Sequence, residues 1–318
     1  MIDVIIPAYN AHKTISQSLA SLAIQTIKDK CKVYIVDDCS EKNYDIEIKP
    51  FDGILNIEQL KTEKNSGAGY ARQYGIDHSS SDFIVFLDSD DLLHDCFALR
   101  RLYDAINDSD SDLVAGAYIN EGENPGSSYI VKDDSVFGCL HGKIYRRKYL
   151  VDNNIRFNRT RYSEDNSFGG IVVNTTNKVL TISDVVYVYR YNNSSLTSDK
   201  QKLVRIHTSY LHNMLWLARE LKKRNVNQNN INGVMLNSYV YMFHEVFTHQ
   251  DVDFSKMFYQ CYMFEEFFKS IEDTISPELI RTYIGVHFNG DDIYISSMVR
   301  GFEEFRKAFR KRWLKWLM

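Results

Sequence analysis

The chain has 318 residues, of which 44% are hydrophobic and 25% are charged, a composition typical of a globular protein with one large domain or two ordinary ones. Its net charge of −4 argues against a protein that coats nucleic acid generally. Only 4 prolines are present, which argues against a long proline-rich linker.

The five cysteines, at positions 31, 39, 96, 139 and 261, are scattered and form no CxxC pair. We interpret them as reduced thiols of a cytoplasmic protein, not as a zinc site or a disulfide framework. Met1 leads directly into an apolar run, so we expect no signal peptide. No apolar stretch is long enough to span a bilayer.

The N-terminal half of the chain alternates short apolar runs with helical patterns. Strands are predicted at 2–6, 33–36, 54–60 and 83–87, with a helix from about Thr14 and another after Gly69. This alternation predicts an α/β fold with a Rossmann-like, mainly parallel sheet flanked by helices. The chain lacks a GxGxxG fingerprint, which argues against a dinucleotide-binding protein.

The pattern becomes looser between about 113 and 191, with a further strand predicted at 185–189. From about 200 onwards, long stretches rich in Tyr, Phe, Met and Leu, such as 239–268, predict buried helices. We therefore expect a domain at 1–200 and a helical accessory region at 201–318.

An acidic cluster, Asp88-Ser89-Asp90-Asp91, follows the fourth apolar run. It is expected at the carboxyl edge of the sheet, where open α/β folds bind ligands. Like charges raise each other's pKa, and a hard divalent cation removes that cost. The cluster therefore indicates a cation site that suits a diphosphate. The alternative is a solvated turn that caps the next helix.

Six ordered motifs carry a resemblance to a known family. They lie at 4–10, 36–40, 65–72, 86–91, 163–165 and 189–195. In this order they resemble family 2 glycosyltransferases, which have the GT-A fold and invert the configuration of the transferred sugar. Segments 71–77 and 141–143 are also similar to bacteriophage-type members. The resemblance covers roughly residues 2–198.

The resemblance implies a donor nucleotide site made of Pro7, Ala8, Tyr9, Asp38, Asn65, Gly67, Arg72, Asp88 and Ser89. Tyr9 would pack on the base, and Asp38 is suited to accept the N3–H of uracil. Asp37 is the alternative residue for the contact with uracil, or it orients the loop. Gly67 allows close backbone approach to a ligand. Arg72 would bind the diphosphate or hold the acidic cluster. Asp90 is implied as the metal ligand, for Mn²⁺ or Mg²⁺.

The resemblance also assigns the chemistry of transfer. Asp165 would be the base that deprotonates the acceptor hydroxyl, with Glu164 supporting it or touching the donor sugar. The alternative is an acidic pair that stabilises the start of a helix. Three further residues would contact the diphosphate or the donor: Arg190, Ser195 and His141. His141 is otherwise structural, and Arg146 and Arg147 are expected to be surface cations.

The C-terminal tail predicts a basic amphipathic helix. Aromatic residues recur at 302, 305, 309, 313 and 316, with lysine and arginine between them. Such a helix suits an anionic membrane surface, in which case the protein is peripheral to the membrane. It equally suits the phosphates of DNA. The alternative is a last helix docked on its own core.

The sequence therefore predicts a metal-dependent, inverting glycosyltransferase. It would move a hexose or N-acetylhexosamine from a UDP-sugar to a hydroxyl of a glycan or cell-wall polymer. One alternative is a DNA glycosyltransferase acting on hydroxymethylated pyrimidines, which would have to leave the base stack. Another is a sugar-nucleotide-binding module without turnover. The sequence does not specify the oligomeric state.

Overall fold

The computed structural model describes residues 1–122, 126–131, 139–192 and 203–248, and the single positions 281, 293, 296, 297, 299, 300 and 307. The chain divides into two compact units, Met1–Lys202 and Leu203–Met318. The first unit contains a sheet with flanking helices, and the described part of the second unit is helical.

The strands of the first unit are β1 (Ile2–Ala8), β2 (Cys31–Asp37), β3 (Asn56–Lys61), β4 (Phe83–Phe86), β5 (Leu92–Leu93), β6 (Leu113–Asn120), β7 (Tyr129–Val131), β8 (Lys143–Arg146) and β9 (Val179–Tyr189). Its helices are α1 (Ile15–Ala23), α2 (Asp45–Ile48), α3 (Ala68–His78), α4 (Ala98–Asn107), α5 (Arg147–Asp152) and α6 (Glu164–Thr175). Strands and helices alternate along the chain, so the predicted α/β class is confirmed.

All the strands belong to one sheet with the order β3-β2-β1-β4-β8-β6-β9-β5, and β7 pairs with β6. The strands β3, β2, β1 and β4 are parallel. Beyond them β8 is antiparallel to both of its neighbours, and β6 and β9 are again parallel. The chain proceeds from β1 to β2 on one side and returns to place β4 on the other side. This reversal is the place where open α/β sheets bind ligands.

The apolar pattern accounts for these elements. Every residue of β1 is buried, because helices cover both faces of the parallel strands. Ile15, Leu19 and Leu22 of α1 are buried at helical spacing. Phe83 and the residues up to Leu87 are also buried, as predicted for a strand in the middle of the sheet. The carboxyl ends of β1, β2, β3 and β4 consequently share one edge.

The second unit contains α7 (Leu203–Lys223) and α8 (Gln228–Thr248). Met214, Leu217 and Leu221 of α7 are buried, as is Met235 of α8. No helix in the described part of the chain combines the length and the apolarity needed to cross a membrane. The aromatic and basic pattern predicted for the tail lies outside the described residues, apart from the helical backbone at Lys307.

Candidate active site

The acidic turn at residues 88–91 is fixed at the end of β4. Leu87 continues the sheet by donating its N–H to the carbonyl of Ile5 at 3.1 Å. The turn closes when Asp91 N–H donates to the Asp88 carbonyl at 3.1 Å. Ser18 of α1 donates its hydroxyl to the Asp91 carbonyl at 2.8 Å. The turn is therefore held by both the sheet and a helix.

Three side chains at this turn have the chemistry and spacing of a metal site. Among the described residues, Asp88, Asp91 and His141 each offer one ligand atom, and these atoms lie within 4.8 Å of one another. Burial, followed by the charge of Asp88, raises the pKa of Asp91 to about 8. A cation that replaces the proton of Asp91 would relieve this cost. Carboxylate oxygens and an imidazole suit Mn²⁺ well and Mg²⁺ less well.

His141 is held in place by aromatic rings. It stacks against Tyr187 and Tyr189, with ring centroids 5.1 and 4.7 Å away. Tyr118 meets it edge to face at 5.4 Å. Gly142 follows with φ of +64°, a conformation that favours glycine. The sequence placed His141 near the donor or the metal, and the structure brings its Nε2 to 3.9 Å from Asp91 Oδ2.

Tyr187 was not identified from the sequence, yet it contacts two residues of the turn. Its hydroxyl donates to Asp91 Oδ2 at 2.7 Å and accepts the Asp88 N–H at 3.2 Å. Its side chain is fully buried on β9. No local pattern marks this tyrosine, because its partners lie almost a hundred positions earlier in the chain.

The sequence implied Asp90 as the metal ligand, and the structure brings a different set of side chains together. Asp90 is half-buried, and its Oδ2 accepts a hydrogen bond from Asn192 Nδ2 at 3.0 Å. Burial and the charge of Asp88 raise its pKa. Metal ligation by Asp90 stays a prediction. Asp91, which the sequence analysis had not identified as a ligand, is a second candidate.

Arg72 connects the acidic turn to the predicted catalytic pair. Its Nη2 lies 2.5 Å from Asp88 Oδ1, and its Nη1 lies 3.0 Å from Glu164 Oε1. The arginine side chain is 7% exposed, as is that of Glu164. Burial opposes ionisation of Asp88, but the charge of Arg72 outweighs it and lowers the Asp88 pKa. Two roles were predicted for Arg72: binding the diphosphate and holding the acidic cluster. The contact with Asp88 corresponds to the second role.

Glu164 and Asp165 begin α6, and an unusual backbone residue precedes them. Ser163 adopts φ of +58° and ψ of +22°, the left-handed region that L-residues other than glycine seldom occupy. Burial, opposed by Arg72, raises the pKa of Glu164 to about 7. Burial also raises the pKa of Asp165, again against the charge of Arg72. Glu164, the residue before Asp165, shares the Arg72 guanidinium with Asp88, so Arg72 joins the start of α6 to the acidic turn.

The predicted nucleotide end lies at the carboxyl edge of β1 and β2. Pro7 and Ala8 are buried within β1, and Tyr9 is 49% exposed beyond it. Asp37 holds the turn after β2 by accepting the Ser40 N–H at 2.8 Å. Tyr9 is therefore available to pack against a base, while Pro7 and Ala8 shape the strand end.

The Asp38 carboxylate accepts hydrogen bonds from three other residues of the protein. It accepts the N–H groups of Ser66 and Gly67 at 3.0 and 2.6 Å, and the hydroxyl of Thr62 at 3.0 Å. These bonds fix the loop that contains Asn65, which is half-buried, and Gly67, with φ of +95°. The structure therefore gives Asp38 a role in holding this loop, and the uracil contact stays a prediction.

Arg190 reaches the turn through its backbone. Its N–H donates to Asp91 Oδ1 at 2.9 Å, whereas its guanidinium contacts Gln17 and lies 3.7 Å from Glu121. Contact with a diphosphate would require the side chain to exchange these partners. Ser89 is half-buried within the acidic turn, and Ser195 lies outside the described residues.

The expectation that Arg146 and Arg147 are surface cations was wrong. Arg146 donates to the carbonyls of Ser111, Ile106 and Ser109 at 3.0 to 3.2 Å. Its guanidinium also lies 5.4 Å from the centre of the Phe83 ring. Arg147 donates from Nε to Ser79 Oγ at 3.0 Å. Arg146 is structural because the carbonyl groups at and beyond the end of α4 need donors, whereas Arg147 is held by the Ser79 hydroxyl.

Gln73, which departs from the asparagine common in the family pattern, is also structural. It donates to Asp77 Oδ1 at 2.9 Å and accepts the Phe157 N–H at 3.0 Å. The substitution therefore ties α3 to the segment that leads towards Glu164.

The family model that matches this chain and the names of two curated relatives all indicate glycosyltransferases. The family model "Glycosyl transferase family 2" matches residues 3–168. Poly(ribitol-phosphate) beta-N-acetylglucosaminyltransferase TarP of Staphylococcus aureus is 32% identical over 185 residues, which are 52% of this chain and 55% of TarP. Poly(ribitol-phosphate) beta-glucosyltransferase of Bacillus spizizenii is 29% identical over 204 residues, 59% of this chain and 32% of that protein. The chain thus spans about half or less of these relatives.

Solved structures show the same fold. The crystal structure of S. aureus TarS 1-349 in complex with UDP-GlcNAc has a TM-score of 0.68 at 18% identity, covering 98% of this chain and 91% of that one. A mannosyltransferase from Pyrobaculum calidifontis in complex with GDP-Man and Mn²⁺ has a TM-score of 0.58 at 14% identity, covering 99% and 87%. At these identities the likeness shows the fold alone, and it confirms the predicted GT-A fold.

Proposed function

Because the chain belongs to glycosyl transferase family 2, we propose that it moves a sugar from a UDP-sugar to a hydroxyl group of a cell-wall polymer, with inversion at the anomeric carbon. One observation carries this proposal. Arg72 contacts Asp88 in the acidic turn and Glu164 beside Asp165, which supports a single site for the two predicted halves of the chemistry.

Asp165 is the proposed base. The acceptor O–H gives its proton to the Asp165 carboxylate as the acceptor oxygen forms a bond to C1 of the sugar. The bond between C1 and the diphosphate oxygen breaks at the same time, and UDP leaves with the electron pair. Attack opposite the leaving group inverts C1. Burial raises the pKa of Asp165, so it is a stronger base than an ordinary aspartate.

Asp88, Asp91 and His141 would hold the divalent cation, with Asp90 as an additional candidate. When bound, the cation supplies positive charge that stabilises the departing diphosphate. We favour Mn²⁺ over Mg²⁺ because an imidazole belongs to the set. Tyr187 orients Asp91 through its 2.7 Å hydrogen bond, as outer residues of metal sites commonly do.

The proposed acceptor is a polymer of the poly(ribitol-phosphate) type, with N-acetylglucosamine or glucose as the donor sugar. The names of the TarP and Bacillus relatives support this choice. They favour it over the bases of DNA, and the intact acidic turn and Glu164–Asp165 pair favour an enzyme over a module that only binds sugar nucleotides. We further propose that the helical unit from 203 helps to select the acceptor.

We propose that the reaction takes place in the cytoplasm, where UDP-sugars are made. Cys31, Cys39 and Cys96 form no disulfide in the part of the chain that the structure describes, which supports a reducing compartment. Association of the protein with an anionic membrane surface through its basic tail stays a prediction.

The test is UDP release from UDP-GlcNAc and UDP-glucose, with Mn²⁺, Mg²⁺ or a chelator, with and without poly(ribitol-phosphate). We expect release that depends on the cation and is accelerated by the polymer. Asp165→Asn should retain the affinity for UDP, measured by calorimetry with Mn²⁺, and should lose polymer-stimulated release. Asp165→Asn with full transfer activity would remove Asp165 from the role of base.

The metal ligands are tested by comparing Asp91→Asn and His141→Ala with Asp90→Asn. A bound cation stabilises the folded protein by an amount that grows with the logarithm of its affinity, and so raises the melting temperature. We expect the shift produced by Mn²⁺ with UDP to disappear in the first two variants. Loss confined to Asp90→Asn would instead establish Asp90 as the ligand.

A further inference from the structure

The loop at residues 153–163, between α5 and α6, carries three arginines and no carboxylate. We propose that Arg159 and Arg161 on this loop bind the phosphodiester groups of the acceptor polymer beside Asp165. This inference rests on the proposed function, because it concerns the acceptor of that reaction. It assigns a binding role to two residues that neither the family motifs nor the acidic turn include.

The loop is fixed to the protein by residues that precede these two arginines. Ile155 and Phe157 are buried, and Phe157 stacks on Phe168 with ring centroids 4.1 Å apart. Arg156 is occupied by an ion pair with Asp77 at 2.7 Å. The loop therefore holds Arg159 and Arg161 at defined places, and one of its three arginines serves the fold.

Arg159 and Arg161 are exposed cations. Within the part of the chain that the structure describes, neither guanidinium makes an ion pair or a side-chain hydrogen bond. The two residues are separated by one position, so their Cα atoms lie at most about 7 Å apart. Two guanidiniums at that spacing can contact neighbouring phosphates of one chain, and each can bind phosphate oxygens bidentately.

The position of Arg161 relates the loop to the site. A methyl group on Gly67 would lie 3.5 Å from Arg161 Cα, so the loop packs against the turn that begins α3. Arg161 lies four positions before Asp165, which limits the distance between their Cα atoms to about 14 Å. An acceptor whose hydroxyl reaches Asp165 therefore passes within reach of Arg161.

The charge of the protein explains why such cations are needed. The chain carries a net charge of −4, and its site contains Asp88, Asp90, Asp91, Glu164 and Asp165. A polyanionic acceptor would be repelled by this field unless cations on its path offset the repulsion. The diphosphate of the donor has the proposed cation and Arg190, so we assign Arg159 and Arg161 to the acceptor.

The experiment compares the full chain with Arg159→Gln/Arg161→Gln. Two exposed phosphate contacts correspond to a rise of about 2- to 30-fold in the KM for poly(ribitol-phosphate). The KM for the UDP-sugar and its polymer-free hydrolysis should not change, and neither should the KM for free ribitol as a neutral acceptor. The rise should shrink with added NaCl, because screening weakens the wild-type contacts. Arg159→Lys/Arg161→Lys should restore part of the affinity.

The matched control is Arg100→Gln/Lys148→Gln, which removes the same charge from α4 and α5. Arg100 and Lys148 pair with Asp104 and Asp152 on their own helices. This control should leave the KM for the polymer unchanged. An equal rise in both double variants would reduce the effect to net charge and overturn the proposed site.

Polymer binding is also read without turnover, by calorimetry with UDP and Mn²⁺ present. Wild-type affinity retained by Arg159→Gln/Arg161→Gln overturns the inference, as does a wild-type protein that does not bind the polymer. A raised KM for the donor would assign the arginines to the diphosphate instead. Failure of the proposed function appears separately, as absence of UDP release from any donor by the wild type.

Discussion

Arg72 Nη1 lies 3.0 Å from Glu164 Oε1, and the side chains of both residues are 7% exposed. The same guanidinium holds Asp88 through its other terminal nitrogen at 2.5 Å. One cation therefore offsets two carboxylates that come from distant parts of the chain. Removing it leaves both of them without their cation, which is the costly outcome for buried ion pairs.

Arg72→Gln should lower the unfolding free energy by about 3–5 kcal/mol, measured by urea denaturation. Arg72→Lys should recover little of the activity, because a single ammonium cannot donate to Asp88 and Glu164 in the same planar geometry. Arg100→Gln, at an arginine on α4 whose side chain is 42% exposed, serves as the control and should leave stability within about 0.5 kcal/mol of the wild type. Wild-type turnover by Arg72→Lys would contradict the bridging role.

Gly69→Ala should impair catalysis. A methyl group at Gly69 would lie 2.3 Å from Glu164 Cγ, so the glutamate that contacts Arg72 must shift. We expect a fall of ~10-fold or more in kcat with little change in UDP affinity, because small displacements of catalytic groups are costly. Gly75→Ala is the matched control on the same helix, where the methyl would meet Ile5 Cγ2 at 2.5 Å. It should reduce stability and leave kcat of the folded fraction unchanged.

Ser163 should tolerate glycine better than valine. Its φ of +58° costs an L-residue roughly 1–2 kcal/mol, and glycine avoids that cost. Ser163→Gly should therefore keep kcat and match or exceed the wild type in stability. Ser163→Val should shift the start of α6 and reduce kcat, since a β-branched residue is strongly disfavoured here. Equal kcat values for the two variants would show that this backbone conformation does not position Asp165.

The pH dependence of stability should differ between the wild type and Glu164→Gln. Burial raises the pKa of Glu164 from 4.5 to about 7, so between these values the folded protein binds a proton that the unfolded chain has released. The contribution of Glu164 to the unfolding free energy is therefore greatest below about pH 4.5 and is lost as the pH rises towards 7. Subtracting the two urea-denaturation profiles should give a difference that declines across this window. A flat difference would contradict the raised pKa.

Local patterns predicted the parallel half of the sheet and the acidic turn well. A run such as 83–87 is apolar because both faces of a central strand are covered, and its end must lie at the edge where ligands bind. The order of motifs then identified the family. These features depend on neighbours in sequence, so the sequence displays them directly.

The features that the sequence analysis missed depend on distant partners. Tyr187 meets Asp91 only because β9 folds back to pair with β5 at Leu92 and Leu93. Arg146 was expected on the surface, yet its guanidinium donates hydrogen bonds to the carbonyls of residues 106, 109 and 111. Neither contact leaves a trace in hydrophobic periodicity, because a polar side chain looks the same in sequence whether its partner is water or protein.

The contribution of β9 to the acidic turn sets a lower limit on the size of an active fragment. The family match ends at residue 168, but Tyr187 and the Arg190 N–H, both beyond that point, supply hydrogen bonds to Asp91. A fragment cut at residue 168 would keep the acidic turn and the Glu164–Asp165 pair. It would lose the two hydrogen bonds that orient Asp91. We therefore expect a fragment with the proposed activity to extend at least through residue 190.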